Sequence, residues 1–255
     1  SPGISCERCD YCRKGYDSLC PEYRLVGLQI DGGYAEYVKV PVRALHPISD
    51  KYSFEEWAAL PLVFLTAWHM LITRAKLARG ETVLIHAAGS GIGSAAIQVA
   101  KWRGAMVIAT AGSEEKLKGA RSLGADYAIH YKQRDFADEV RRITENRGAD
   151  VVFEHIGPET WAKSMASLAK GGRLVTCGAT SGPQVTMDLR FLFAKQLSVL
   201  GSYMGGRKEL AEVLLLAEQG RLKPIVDSTY PLGEARKAQE RMLERKQFGK
   251  IVLIP

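Results

Sequence analysis

Residues Cys6 to Cys20 read CERCDYCRKGYDSLC and hold four of the chain's five cysteines. Their spacing is Cys6-x2-Cys9-x2-Cys12-x7-Cys20. Paired disulfides would need an oxidising compartment, which nothing in the sequence suggests, and thiols this closely spaced suit one metal ion better. Four thiolates at about 2.3 Å close a tetrahedron with no position left for water, so the ion would be structural, one zinc per chain. The intervening residues Glu7, Arg8, Asp10, Arg13, Lys14 and Asp17 offer little core, so metal binding there would be folding energy. An iron–sulfur cluster is the alternative, and it would make the chain an electron carrier. Cys20-Pro21 echoes the ferredoxin ending, but seven residues stand where that run has three. Cys177 lies apart and reads as a small apolar core residue.

A second chemistry resides in LIHAAGSGIGSAAIQVA, residues 84–100. Small residues after a strand let the backbone approach a pyrophosphate, whose charge the following helix N-terminus favours. The glycine fingerprint fits in two registers, Ala88/Ser90/Gly93 or Gly89/Gly91/Ser94, so Ala88, Gly89, Ser90, Gly91, Ile92 and Gly93 are the candidate phosphate loop. The second strand would end in Asp or Glu to bind a ribose 2′-hydroxyl; Ala111 stands there instead, with Ser113 and Lys116 following. That arrangement suits a 2′-phosphate, hence NADP, with NAD the alternative. Ser113 also reads as a plain helix cap and Lys116 as a solvated lysine. His86 and His155 read as packed or cofactor-adjacent.

These residues need positioning elements. From residue 82 onward strands alternate with helices: TVLIHAAG, MVIATAG, YAIHY, DVVFEHIG, RLVTCGAT and LSVLGSY are strands, most of them joined by helical segments. Six buried strands with crossover helices predict an α/β fold, a doubly wound six-stranded parallel sheet of the Rossmann kind. Upstream, GGYAEYVKVP (32–41) alternates like a strand, Ser53 and Glu56 form a capping box, and Pro61 breaks a helix. LVFLTAWHMLITRAKL predicts a buried helix ending near Gly80. The C-terminal stretch changes texture: helix 207–219, a strand ending at Pro231, a helix over 233–247, and the strand KIVLIP.

Composition sets the limits. The chain has 255 residues, 46% hydrophobic, enough for more than one domain. It contains no run of eighteen apolar residues and opens on no signal-like segment, so no membrane role and a cytoplasmic home are expected. The net charge of +7 is spread among acidic residues rather than concentrated, which argues against nucleic-acid binding. The opening SPGISC lacks Met and reads as the interior of a loop, as in a fragment of a longer protein.

Together the four-cysteine lobe, HAAGSGIGSAAIQVAK and the closing FGKIVLIP resemble the medium-chain, zinc-containing alcohol dehydrogenase superfamily over the whole chain. The resemblance implies three segments. Residues 1–64 would be the later part of a GroES-like, mainly-β catalytic domain, 65–203 a Rossmann domain, and 204–255 the return to the catalytic domain. It implies hydride transfer between a nicotinamide cofactor and a small-molecule carbonyl, alcohol, enone or quinone, in a homodimer or homotetramer. Family members carry three catalytic-zinc ligands; two would precede this sequence, and the third falls on Leu62, which cannot bind a metal. That departure resembles the quinone oxidoreductase branch, which works without catalytic zinc but usually lacks the cysteine lobe. By the same resemblance Thr66 lies near the nicotinamide, Tyr131 flanks a 2′-phosphate, and Gly178, Ala179 and Thr180 cover the nicotinamide ring. The rival reading is a nucleotide-binding protein without turnover.

Overall fold

A computed structural model describes all 255 residues. The chain forms two compact units, Ser1–His69 with Tyr203–Pro255, and Met70–Ser202.

In the first unit, β1 (Gly3–Ile4) pairs antiparallel with β2 (Arg24–Leu25), and helix α1 (Asp10–Arg13) lies between them in sequence. The strand expected over 32–41 does not form. Its alternation marks two faces, but a strand exists only where a neighbour completes its hydrogen bonds. No ladder reaches this segment, and Tyr34 and Tyr37 are 69% and 90% exposed. The capping box forms as expected. Glu56 N–H donates to Ser53 Oγ at 3.3 Å, and Ser53 N–H donates to Glu56 Oε2 at 2.9 Å, opening α2 (Phe54–Ala58). Pro61 begins α3 (Pro61–Trp68), since a proline lacks only a donor that the first turn leaves unused. The helix then widens into a π-helical turn, His69–Arg74, and stops short of Gly80. Lys76, at φ +50°, turns the chain out of helical geometry.

The second unit is the alternating one. It runs β3 (Thr82–Ile85), α4 (Gly91–Arg103), β4 (Met106–Ala111), α5 (Glu114–Ser122), β5 (Tyr127–His130), α6 (Phe136–Ile143), β6 (Ala149–Glu154), α7 (Pro158–Ala166), β7 (Leu168–Thr176), α8 (Leu189–Ala194) and β8 (Ser198–Gly201). All six strands are parallel, in the order β5-β4-β3-β6-β7-β8. That is the doubly wound order, and the direction of winding reverses between β3 and β6. Parallel strands covered on both faces are apolar throughout: Val83, Leu84, Ile85, Val107, Ile108, Val152 and Phe153 are fully buried. On one face Leu84, Ile108 and Val152 meet Phe136, Val140, Trp161 and Met165. Helix α8 was not among the expected elements. Its start is marked by Asp188, whose side chain accepts from Arg190 N at 2.9 Å.

The chain returns to the first unit with α9 (Arg207–Glu218), β9 (Val226–Pro231), α10 (Ala235–Leu243) and β10 (Lys250–Ile254). Helix α9 packs on α3, and β10 pairs parallel with β9. No helix is long and apolar enough to cross a membrane.

Candidate nucleotide and metal sites

The sulfur atoms of Cys6, Cys9, Cys12 and Cys20 all lie within 4.8 Å of one another. Cys9 and Cys12 are 3.5 Å apart and Cys6 and Cys12 4.0 Å. A regular tetrahedron with 2.3 Å metal–sulfur arms has edges of about 3.8 Å, so the donor set fits one thiophilic ion. The backbone supports it: Cys9 N–H donates to Cys6 Sγ and Cys6 N–H to Cys20 Sγ, each at 3.4 Å. Backbone donors from Arg8 and Cys9 pull the Cys6 thiol down to about 6, while burial pushes Cys12 up to about 12 and raises Cys20.

The loop after β3 resolves which glycine register is used. A Cβ on Gly93 would stand 2.2 Å from Ala87 O and 2.9 Å from Ala87 C, so α4 packs against the strand end through a position that only glycine fills. Gly93 is therefore the close-packing third glycine, and Ala88 and Ser90 occupy the first two positions. Ala87 takes φ +50° to make the turn. Ser90 caps α4, its Oγ accepting from Gly93 N at 2.9 Å. Gly93→Ala should cost about 1–3 kcal/mol of stability, since the obstacle is backbone and has no rotamer to yield. Chemical unfolding reads this; an unchanged midpoint would show that the loop is looser than the structure has it.

At the end of β4 the candidate residues converge. Ser113 caps α5, accepting from Lys116 N at 3.4 Å. The Lys116 stem lies across the phosphate loop, 2.7 Å from where a Gly89 Cβ would be. Tyr131 Oη and Lys132 Cε stand 2.7 and 3.2 Å from the equivalent point on Gly112. Ser113, Lys116, Tyr131 and Lys132 thus surround the tip of a strand that ends in Ala111 rather than an acid. Lys132 was not among the sequence candidates. It follows Tyr131 as one lysine among many, and only the pairing of β5 with β4 brings it here.

Gly178, Ala179 and Thr180 follow β7 and lie against the turn after β6. Thr180 Oγ1 donates to His155 O at 2.9 Å, and a Gly178 Cβ would be 3.0 Å from that oxygen. Thr66 belongs to the first unit. It is buried in α3, and its hydroxyl donates to Leu62 O at 2.8 Å. Leu62, at the ligand position noted above, is 44% exposed.

At the end of β6 lies a group that sequence reading passed over. Glu154, the last residue of β6, is fully buried. Its Oε1 accepts from Ile156 N at 2.6 Å and Gly157 N at 3.2 Å; its Oε2 accepts from Thr160 Oγ1 at 2.8 Å and Ser164 Oγ at 2.9 Å. Ser164 Oγ also meets His86 Nε2 at 2.9 Å, and His86 Nδ1 lies 3.2 Å from Thr110 Oγ1. Burial works to raise the Glu154 carboxyl, but nearby His86 and the donors on Ile156, Thr160 and Ser164 hold it below its ordinary value. Burial pushes His86 down from 6.5 to about 4, against the pull of Glu154 and with the help of His155. The imidazole is therefore neutral beside an ionised carboxylate. Both shifts are depressions, so both contribute stability that is lost as acid protonates the unfolded chain first. From the His86 shift alone, stability should fall by about 2 kcal/mol between pH 7 and pH 5. Denaturant titrations should show that slope, and His86→Gln should flatten it.

With this geometry in place, known proteins can be compared. The Zinc-binding dehydrogenase family model matches residues 91–219, and the Alcohol dehydrogenase GroES-like domain model matches residues 1–50. An NAD-dependent alcohol dehydrogenase of Sulfurisphaera tokodaii is 35% identical over 97% of this chain and 71% of its own length. A human quinone oxidoreductase is 30% identical over 88% of this chain and 70% of its own. A crystal structure of an NAD-dependent alcohol dehydrogenase, 46% identical, superposes with a TM-score of 0.96 over all of this chain and 74% of that one. The order of the six strands, the phosphate loop and these relatives agree: the chain belongs to the medium-chain dehydrogenase/reductase superfamily.

Proposed function

We propose that this chain supplies the nucleotide-binding unit and the structural zinc lobe of an NADP-preferring oxidoreductase that transfers hydride to or from a small carbonyl, alcohol, enone or quinone. The observation that carries the cofactor reading is the cationic tip of β4: Ala111 where a carboxylate would exclude a phosphate, with Ser113, Lys116, Tyr131 and Lys132 around it. When bound, the nicotinamide supplies the hydride chemistry. The protein's part is placement. The α4 N-terminus and the backbone of Ala88–Gly93 would take the pyrophosphate. Lys116 and Lys132 would balance the 2′-phosphate, with hydroxyls of Ser113 and Tyr131 beside it. Gly178–Thr180 would flank the nicotinamide, and Thr66, the catalytic candidate, would lie near it. Cys6, Cys9, Cys12 and Cys20 would hold the zinc, which needs no open position for this role.

Leu62 favours a conjugated acceptor over one activated by metal. An enone or quinone spreads the developing charge along its own π system and has less need of a Lewis acid. The test is calorimetric titration of the chain with NADPH, NADH, 2′,5′-ADP and ADP. Tighter binding of each 2′-phosphorylated partner supports the reading; equal or tighter binding of NADH and ADP overturns the NADP preference.

A further inference from the structure

The buried carboxylate of Glu154 has no place among the groups that touch cofactor, yet it accepts four hydrogen bonds from three directions. The two through Oε1 fix the backbone N–H groups of Ile156 and Gly157, at the turn where β6 gives way to α7. Gly157 takes φ +99° there, and a Cβ on it would stand 2.9 Å from Gly182 O. The same turn presents outward-facing carbonyls. His155 O accepts from Thr180 Oγ1 at 2.9 Å, and Ile156 O accepts from Ser181 N at 2.7 Å and Ser181 Oγ at 2.9 Å. Loop 178–182 is therefore held by a turn that is itself held by Glu154.

The Oε2 side runs the other way. Ser164 Oγ lies 2.9 Å from both Oε2 and His86 Nε2. His86 follows β3, and Ala87, at φ +50°, leads from it into the candidate phosphate loop. His155 Nε2 approaches His86 O at 3.3 Å, closing a second path between the same two strand ends. The titratable groups facing Glu154 are His86, His155 and Cys177. Burial lowers both imidazoles and raises the thiol, so all three are uncharged around one carboxylate.

We propose that Glu154 is a positioning residue, which holds the loop at 178–182 in its cofactor-ready form and ties it through Ser164 and His86 to the phosphate loop. This rests on the cofactor reading above. A carboxylate serves because every one of its partners is a donor, and two of them are backbone amides that no rotamer change can satisfy elsewhere. Placing the loop before the cofactor arrives removes the ordering cost from binding.

The role predicts an effect on the pyrophosphate and nicotinamide part of the ligand that spares its adenosine end. Glu154→Leu removes the acceptors of Ile156 and Gly157. It should weaken NADPH and NADH binding about tenfold. Affinity for 2′,5′-ADP, which carries neither the pyrophosphate nor the nicotinamide, should stay within about twofold. Glu154→Gln keeps one oxygen for the two amides and lets the hydroxyls of Thr160 and Ser164 rotate to accept. It should restore NADPH affinity to within about threefold of the unmodified chain. If Glu154→Leu does not fold, Ser164→Ala reads the same link, with a loss of about threefold for NADPH alone.

Unchanged NADPH affinity in Glu154→Leu, or an equal loss of both probes, overturns the role. For Ser164→Ala, unchanged NADPH affinity does the same. A chain that binds none of the four probes before mutation would instead overturn the nucleotide reading itself.

Discussion

Replacing Cys9 by Ser should empty the lobe of zinc. The unmodified chain should carry about one zinc, and the variant close to none. A hydroxyl is a poor stand-in for a thiolate, and a three-sulfur site with an open corner holds zinc far less tightly. The effect on local folding should be large, because binding energies of about 10–16 kcal/mol for structural zinc are folding energy where no other core exists. Helix α1 buries none of its four residues, and β1 and β2 are two residues each. Without the ion, the lobe has hydrogen bonds but almost no apolar burial. Metal analysis after exhaustive dialysis gives the first readout. Trypsin gives the second: cleavage at Arg8, Arg13 and Lys14 should accelerate, while the second unit, residues 70–202, stays resistant. Retention of a full equivalent of zinc by the variant would show that the ion, if present, is not held by Cys9.

The second large effect is at the tip of β4. Ala111→Asp should reverse the cofactor preference, moving the ratio of NADPH to NADH affinity by about 100-fold or more. A carboxylate about 5 Å from a 2′-phosphate repels each unit of its charge by about 3 kcal/mol at an effective dielectric of 20. It also offers a ribose 2′-hydroxyl the acceptor that Ala111 lacks. Lys132→Ala should complement this, weakening NADPH about tenfold while leaving NADH unchanged. Two of the relatives compared above are named NAD-dependent, so the ratio in the unmodified protein is informative in itself. A chain that binds NADH as well as NADPH before any substitution would remove the ground for this prediction.

Much of this architecture was legible in the residues. Continuous apolar runs such as TVLI and VVF, alternating with helical segments, read as strands buried on both faces, and the helices between them favoured parallel pairing. The capping box at Ser53 and the clustering of the four cysteines at Cys6–Cys20 were equally plain, because their partners lie within a few residues of one another. What depends on local spacing is written in local sequence.

The failures share the opposite property. Residues 32–41 alternate like a strand but find no neighbour, and alternation carries no information about whether a partner is there. The loop offered two glycine registers, and only the contact of Gly93 with Ala87 O chose between them. Lys132 joined Lys116 because β5 lies beside β4, sixteen residues apart in the chain. Glu154 was an acid in an apolar strand, and its reason emerged only when α7 folded back to set Thr160 and Ser164 over it. The sequence alone determined the alternating strands and helices of the second unit, the winding of its sheet and the grouping of four cysteines, since these follow from periodicity and short spacing. The register of the glycine loop after β3, the cationic tip of β4 and the carboxylate at the end of β6 were decided by tertiary structure, because each is a contact between side chains or backbone that only the packed sheet brings within reach.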